Sequence, residues 1–187
     1  ASEPANADLV LALASNVRAP QPDWRISLLN ALVADKQYAR AHAIWARVTG
    51  ERPVRGVYNP AFASSPAPPP FNWHFPQSAD GVAEPDGKGG LSILYYGRAK
   101  ALLASQLLVL PPGSYRLAMR VEGTGGEDLL RWTLRCADVD RVIAQVPLRS
   151  AAAGAAFVVP AGCAAQWLEL EGISVESPRT GEVTIRG

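Results

Sequence analysis

Residues 91–123 read LSILYYGRAKALLASQLLVLPPGSYRLAMRVEG and decide the predicted fold. They predict three successive β-strands, over residues 91–96, 102–110 and 115–121. The last of these alternates strictly between apolar and more polar positions, as a strand with one buried face does. The connection at residues 111–114, PPGS, combines prolines that end a strand with a glycine that permits a tight turn. This arrangement predicts an antiparallel β-sandwich.

The remainder of the chain after this stretch also has the pattern of short strands joined by turns. Five more strands are predicted, over residues 129–136, 142–148, 155–159, 166–173 and 182–185. The segments between them contain the Gly, Pro, Asp and Ser residues that are typical of turns. Before the central stretch we predict a short strand at residues 57–62, an aromatic alternation at 71–75 and a loop at 77–90. This spacing favours a sandwich over a parallel α/β sheet.

The first 50 residues have helical rather than strand periodicity. Helices are predicted over residues 7–17, over 24–33 after an N-cap at Asp23, and over 38–48. We therefore divide the chain into a helical hairpin at residues 1–50 and a β-sandwich at 51–187. The predicted fold class is mainly β, an antiparallel jelly-roll sandwich with a short N-terminal α-helical hairpin.

The composition is that of a folded domain without a strong overall charge. The 187 residues are 48% hydrophobic, and 18 basic against 17 acidic residues leave a formal net charge of +1. No overall field attracts nucleic acid, so nucleic-acid binding is not expected. No apolar run reaches the ~18 residues of a membrane helix, and ASEPANAD at residues 1–8 has no signal-peptide pattern. No membrane insertion is expected.

The third predicted helix contains a short motif at residues 37–45, QYARAHAIW. It resembles the start of the second helix of a tetratricopeptide repeat, with Tyr38, Ala41 and Trp45 at matching spacing. A single helical pair cannot bury both of its faces. The resemblance implies either the last repeat of a longer array or a pair that packs on the following domain. A third interpretation, which fits the sequence equally well, is an ordinary helical hairpin that serves as a lid.

A second resemblance covers residues 56–186. Its landmarks occur in the expected order and are VYNPAF at 57–62, Trp73, LSI at 91–93, SQL at 105–107, PGSYRL at 112–117, FVVP at 157–160 and VTI at 183–185. The region resembles carbohydrate-binding-module jelly rolls with galactose-binding-like topology. The resemblance implies binding of a polysaccharide or glycan. The acidic pair that often contributes a calcium site in that family is replaced here by RTGE at 179–182, so no metal or cofactor is expected.

Sugar binding requires aromatic faces that stack on pyranose rings and planar polar groups that bond hydroxyls. The predicted ligand contacts are Trp167, Tyr96, Gln106, Arg116 and Arg135. Each has an alternative explanation. Trp167 either points outward or packs under the N-terminal helices, and Gln106 either binds a ligand or is satisfied by the backbone. The arginines form a basic surface if their strands are neighbours, or are ordinary solvated side chains.

Catalysis has little support in the sequence. His42 and His74 are the only histidines, and no G-x-S-x-G, H-E-x-x-H, Walker or Rossmann motif is present. Two histidines and two cysteines scattered along the chain do not have the spacing of a zinc site. The protein is therefore not expected to be an enzyme.

Cys136 and Cys163 are the only cysteines and fall near the ends of two predicted strands. Two buried free thiols fit this pattern, and so does one disulfide if the strands are neighbours. The disulfide is the preferred prediction, and it implies an oxidising compartment. The basic residues are mostly arginine and alanines are many, which is typical of a GC-rich bacterial genome, so the expected location is the bacterial periplasm or the exterior.

Two functions are consistent with the sequence. The first is non-catalytic glycan binding by a module of the bacterial envelope. The second is a protein-interaction or scaffolding domain that caps a helical repeat array and binds a protein partner through the N-terminal helices.

Overall fold

The computed structural model describes residues 24–52 and 54–187. The helices are α1 (Trp24–Ala34), α2 (Tyr38–Thr49) and α3 (Leu148–Ala153). The strands are β1 (Gly81–Pro85), β2 (Gly90–Tyr95), β3 (Ala101–Leu108), β4 (Gly113–Leu117), β5 (Arg120–Thr124), β6 (Leu130–Cys136), β7 (Val142–Pro147), β8 (Ala155–Val159), β9 (Gln166–Gly172) and β10 (Gly181–Arg186). The predicted helix at 7–17 and the N-cap at Asp23 lie outside the described residues.

The strands form two four-stranded antiparallel sheets and one ribbon. The first sheet has the order β1-β2-β10-β5, the second has the order β3-β9-β6-β7, and β4 pairs with β8. The chain crosses between the two larger sheets several times, because β2, β5 and β10 belong to one and β3, β6 and β9 to the other. The predicted class, a mainly β antiparallel sandwich preceded by a helical hairpin, is confirmed.

The main core lies between the two four-stranded sheets. Residues that alternate along β6 and β9 face this core, and they meet the buried side chains of β2 and β10. Trp132 is 2% exposed and lies among them, as its place between Leu130 and Leu134 on the apolar side of the predicted strand indicates. The side chains in between, such as Arg131 and Glu169, therefore point away from the core, as the period of two in a strand requires.

The hairpin α1–α2 packs on the sandwich through a second cluster. Leu28, Leu32, Ala41 and Trp45 of the helices contact residues of the sandwich that include Ala67, Phe71 and Leu107. The Trp45 indole N–H donates a hydrogen bond to the Pro68 carbonyl at 2.9 Å. The pair therefore buries its apolar face on the domain that follows it. None of the helices in residues 24–52 and 54–187 is long and apolar enough to cross a membrane.

The strand predicted at 115–121 is wrong. The chain forms β4 up to Leu117 and β5 from Arg120, and these strands belong to different sheets. Between them the Met119 N–H bonds to the Ala151 carbonyl of α3 at 3.3 Å. The apolar alternation continues through the break, so the pattern alone gives no sign that the chain leaves one sheet for another.

Three other local predictions differ from the structure. The predicted loop at 77–90 contains the edge strand β1, and the predicted turn after residue 150 lies within or beside α3. The predicted strand at 57–62 is a turn in which Asn59 and Phe62 both have positive φ of 51°. The Asn59 side chain closes it through bonds to the Ala63 N–H and carbonyl. An asparagine that bonds its own neighbourhood in this way favours turns over strands.

Candidate functional site

The candidate site lies on the side of the sheet β3-β9-β6-β7 that faces away from the core, which we call the outer face. Trp167, Glu169 and Glu171 project from β9 on this face. Their direct cross-strand neighbours on β6 are Arg135, Thr133 and Arg131 respectively. The structure therefore brings two predicted ligand contacts, Trp167 and Arg135, side by side.

Trp167 occupies the boundary between the outer face and the helical hairpin. It is half-buried and packs against the helical cluster, as the alternative interpretation of this residue predicts. It also lines an open groove of about 300 Å³. We call this the Trp167 groove, and its other walls are Ile26, Asn30, Pro69, Pro70, His74 and Ser105. Trp167 is thus both a packing residue and part of an accessible surface.

The polar part of the outer face is an ion-pair network centred on Glu171, which is 3% exposed. Its carboxylate accepts hydrogen bonds from the Thr133 hydroxyl at 2.6 Å and the Arg131 guanidinium at 3.0 Å, and Lys100 Nζ lies 2.7 Å away. Arg135 pairs with Glu169 at 3.3 Å. The arginines of β6 are therefore compensated by acidic neighbours.

Arg116 and Arg135, together with the other strand arginines Arg120 and Arg131, do not form the joint basic surface that was the alternative to ordinary solvated side chains. Their strands β4, β5 and β6 belong to three different sheets. Only Arg131 and Arg135 share a face, and both are paired with glutamates of β9. The outer face is consequently polar and nearly neutral, with donors and acceptors held close together, which suits hydroxyl groups better than a polyanion.

The network shifts the pKa of the Glu171 carboxyl group. Burial alone raises the pKa of a carboxyl group, but the bonds from Lys100, Thr133 and Arg131 and the charge of Lys100 outweigh it, so the pKa of Glu171 lies below its ordinary value of 4.5. A group whose pKa is lower in the folded chain stabilises the fold fully above the unfolded pKa. That stabilisation is lost as the pH falls through the folded pKa.

We expect Glu171→Gln to lower the free energy of unfolding at pH 7 by about 2 kcal/mol, because it removes charge-assisted hydrogen bonds from a buried acceptor. The difference from the wild-type protein should shrink as the pH falls below about 4. Urea unfolding at a series of pH values measures both effects. Glu122→Gln is the matched control, since the Glu122 side chain is 59% exposed in its pair with Arg186. A Glu171 variant that behaves like this control contradicts the assignment.

Gln106 is not an accessible ligand contact. It is 0% exposed. Its amide oxygen accepts the Tyr58 N–H at 2.9 Å and its amide N–H donates to the Tyr58 carbonyl at 3.0 Å. Gln106 therefore matches the alternative interpretation, in which its side chain forms hydrogen bonds with the backbone. Gln106 holds the segment around residue 58 against β3, and its amide has no exposed face for a sugar.

Tyr96 and Arg116 lie away from the outer face. Tyr96 follows β2, where its N–H bonds to the Asp80 carbonyl, and the Arg98 guanidinium stands 5.5 Å from its ring centre. Arg116 lies on β4 and donates a hydrogen bond to the Ala153 carbonyl at 2.7 Å. The five predicted contacts therefore occupy several parts of the molecule.

The groove contains polar residues that the sequence interpretation missed. His74 forms an isolated antiparallel bridge with Ser105, which places it along the edge of β3 that faces away from β9. Ser105 is the cross-strand neighbour of Glu169, so the alternation of β3 was a usable signal for it. Asn30 comes from α1, and no local pattern indicates where that helix docks.

The predicted disulfide between Cys136 and Cys163 is confirmed, with a Cα–Cα distance of 5.5 Å. It joins the end of β6 to the segment that leads into β9. The described residues contain no free cysteine. Asp138 lies close to both sulfur atoms, but sulfurs bonded to each other are not thiolate ligands, so this group does not form a metal site in the oxidised protein.

Comparison with known proteins gives little further information. No family model matches the sequence, and no curated protein matches it. Among solved structures, a chain from the crystal structure of accessory secretory protein 1, 2 and 3 in Streptococcus pneumoniae aligns with a TM-score of 0.41 and 8% identity. The alignment covers 58% of this chain and 85% of that one. A likeness at this level carries no functional argument.

Proposed function

We propose that this protein is a non-catalytic glycan-binding module and that the glycan lies in the Trp167 groove. The observation that supports this most directly is the placement of a partly exposed indole beside the Arg135–Glu169 pair on adjacent strands. An indole stacks on the C–H face of a pyranose ring, while a carboxylate and a guanidinium bond the hydroxyls at its edge. The indole, the carboxylate and the guanidinium together therefore provide both the stacking and the hydrogen bonds that a sugar requires.

The strands that carry these groups are rigid, which favours binding. β9 is an inner strand, paired with β3 on one side and β6 on the other. Glu169 is held by Arg135, and Arg135 is held in turn by Asp140 at 2.9 Å. A sugar therefore meets side chains whose orientation is already fixed, and binding costs less conformational entropy.

The size and composition of the groove suggest the length of the ligand. Its volume of about 300 Å³ is at the small end of the range of ~300–1,000 Å³ for ligand sites. A few polar groups, from Asn30, His74 and Ser105, interrupt walls that are otherwise apolar. This fits one or two sugar units of a longer chain whose remainder lies on the polar outer face.

We infer that the module works in the periplasm or outside the bacterial cell. The disulfide supports this location, because disulfides persist in oxidising compartments and are rare in the reducing cytosol. The polysaccharides and glycans of the bacterial envelope are then the ligands within reach.

A glycan array followed by affinity electrophoresis tests the proposed function. Wild-type protein is expected to bind a neutral or weakly charged glycan, and Trp167→Ala to lose at least tenfold in affinity, because stacked aromatic contacts dominate such sites. Tyr96→Ala is the matched control, since Tyr96 is a half-buried aromatic outside the groove, and it should bind normally. Circular dichroism verifies that each variant is folded. Absence of any glycan binding by the wild-type protein would favour the protein-interaction function instead.

A further inference from the structure

A second opening in the molecule lies on the core side of β6 and β9, where the sandwich is incompletely filled. It consists of two cavities of about 150 and 170 Å³ that share the walls Val57, Arg116, Leu117, Trp132 and Leu168. We call the two together the core cleft. The two adjoining cavities open to solvent and reach in to buried core residues such as Trp132 and Leu168, so together they form a recess of the kind that binds small molecules.

The walls of the core cleft are apolar and rich in aromatic rings. Tyr115 and Phe157 stack with ring centres 5.7 Å apart on one side. Trp73 and Trp132 approach at 5.8 Å on the other. Several wall residues, including Leu117, are only half-buried, so the cleft is reachable from solvent. An apolar cavity of ~150 Å³ accepts a molecule the size of benzene, so the two side by side have room for an alkyl chain of roughly ten carbon atoms.

The charged side chains that line the cleft are all basic. Arg55 and Arg116 are the charged residues among those that line it, and no acidic residue is among them. Arg55 has no ion pair with any residue in 24–52 or 54–187. Two exposed arginines beside an apolar cavity are complementary to a ligand with an apolar body and a carboxylate head, since guanidinium groups bond carboxylates well.

The position of Arg116 is fixed by the surrounding backbone. Its guanidinium donates to the Ala153 carbonyl at 2.7 Å, and a Cβ atom at Gly154 would lie only 2.2 Å from Arg116 Nε. Gly154 has φ +83°, a conformation that glycine adopts without strain. The glycine therefore provides the space in which Arg116 lies across the cleft, and the remaining guanidinium N–H groups are available to a ligand.

We propose that the core cleft binds a medium-chain fatty acid, with the alkyl chain between the sheets and the carboxylate on Arg55 and Arg116. The inference is independent of the glycan site, because Trp167, Arg135 and Glu169 line no part of this cleft. It also assigns to Arg116 a ligand different from the sugar that the sequence suggested.

Isothermal titration of the full chain with decanoate, and with decanol as the uncharged analogue, tests the proposal. Wild-type protein should bind one decanoate saturably and bind decanol about tenfold more weakly. The double variant Arg55→Gln/Arg116→Gln should bind decanoate about tenfold more weakly and lose the preference over decanol. Arg120→Gln, which removes an exposed arginine outside the cleft, should leave the affinity unchanged.

A second variant tests the cavity rather than the charge. Ala144 lines the cleft and is half-buried, so Ala144→Leu should fill the space and weaken decanoate binding at least fivefold while the protein stays folded by circular dichroism. Trp167→Ala should bind decanoate normally, which separates this inference from the glycan proposal. No saturable binding by the wild-type protein, or equal binding by the double arginine variant or by Ala144→Leu, would overturn the inference.

Discussion

Replacing Trp45 with alanine is expected to lower the free energy of unfolding by about 3–5 kcal/mol, the usual range for removing a fully buried tryptophan. Trp45 is 0% exposed and lies where α2 meets the sandwich. The centre of its ring lies 4.9 Å from that of Tyr58, in an edge-on arrangement, and 5.9 Å from that of Phe71. Its N–H donates a hydrogen bond to the Pro68 carbonyl. The substitution removes the apolar contact area, opens a cavity and leaves that carbonyl without its donor.

Urea unfolding followed by fluorescence and circular dichroism measures this effect. Trp24→Ala is the matched control, because Trp24 is half-buried at the first residue of α1, and it should cost less than half as much. We expect the wild-type protein to unfold in one transition, since the hairpin and the sandwich share one cluster of buried residues. If Trp45→Ala is no more harmful than the control, the hairpin does not stabilise the sandwich and residues 1–50 behave as a separate domain.

The same variant connects stability with function. The walls of the Trp167 groove include Ile26 and Asn30 from α1, so the groove exists only while the hairpin is docked. Weaker docking in Trp45→Ala should therefore also weaken glycan binding, although Trp45 lines no part of the groove. The helical pair is then a wall of the binding site as well as a covering of the sheet.

The strands of the sandwich were predictable because their signal is local. A half-buried strand alternates with a period of two, and β3, β6, β8 and β9 were predicted within two residues of their observed ends. The break between β4 and β5 was not predictable, because the alternation of residues 115–121 keeps its phase while the chain changes sheets. The edge strand β1 was missed because its sequence, GVAEP, is short and its middle residues give a weak pattern.

The site was harder to predict because it depends on contacts between distant residues. The alternation of β9 is a local signal, and it is enough to place Trp167 and Glu169 on the same side of the strand. The arrangement of Arg135 beside Trp167 depends on strand order and register, neither of which a single sequence reveals. Gln106 has the residue type of a sugar contact, but its partner is the backbone of Tyr58, 48 positions away.

Removing the disulfide by the double substitution Cys136→Ala/Cys163→Ala is expected to lower the free energy of unfolding by about 3–4 kcal/mol. The bond closes a loop with a sequence separation of 27, and the chain-entropy relation gives roughly 3.5 kcal/mol for a loop of this length. Cys136 is also the cross-strand neighbour of Gln166, next to the pair formed by Arg135 and Trp167. The loss should therefore loosen the end of the outer face that carries the glycan site.

Urea unfolding of the wild-type protein, with and without dithiothreitol, provides the comparison for that variant. Reduced wild-type protein should match the double variant, and the oxidised protein should be the more stable by the full 3–4 kcal/mol, because the bond acts mainly on the unfolded chain. Glycan affinity should fall in the reduced protein and in the double variant alike, whereas decanoate binding should persist, since neither cysteine lines the core cleft. Equal stability of the oxidised and reduced forms would contradict the expected role of the bond. Unchanged glycan affinity would show that the outer face keeps its geometry through strand pairing alone.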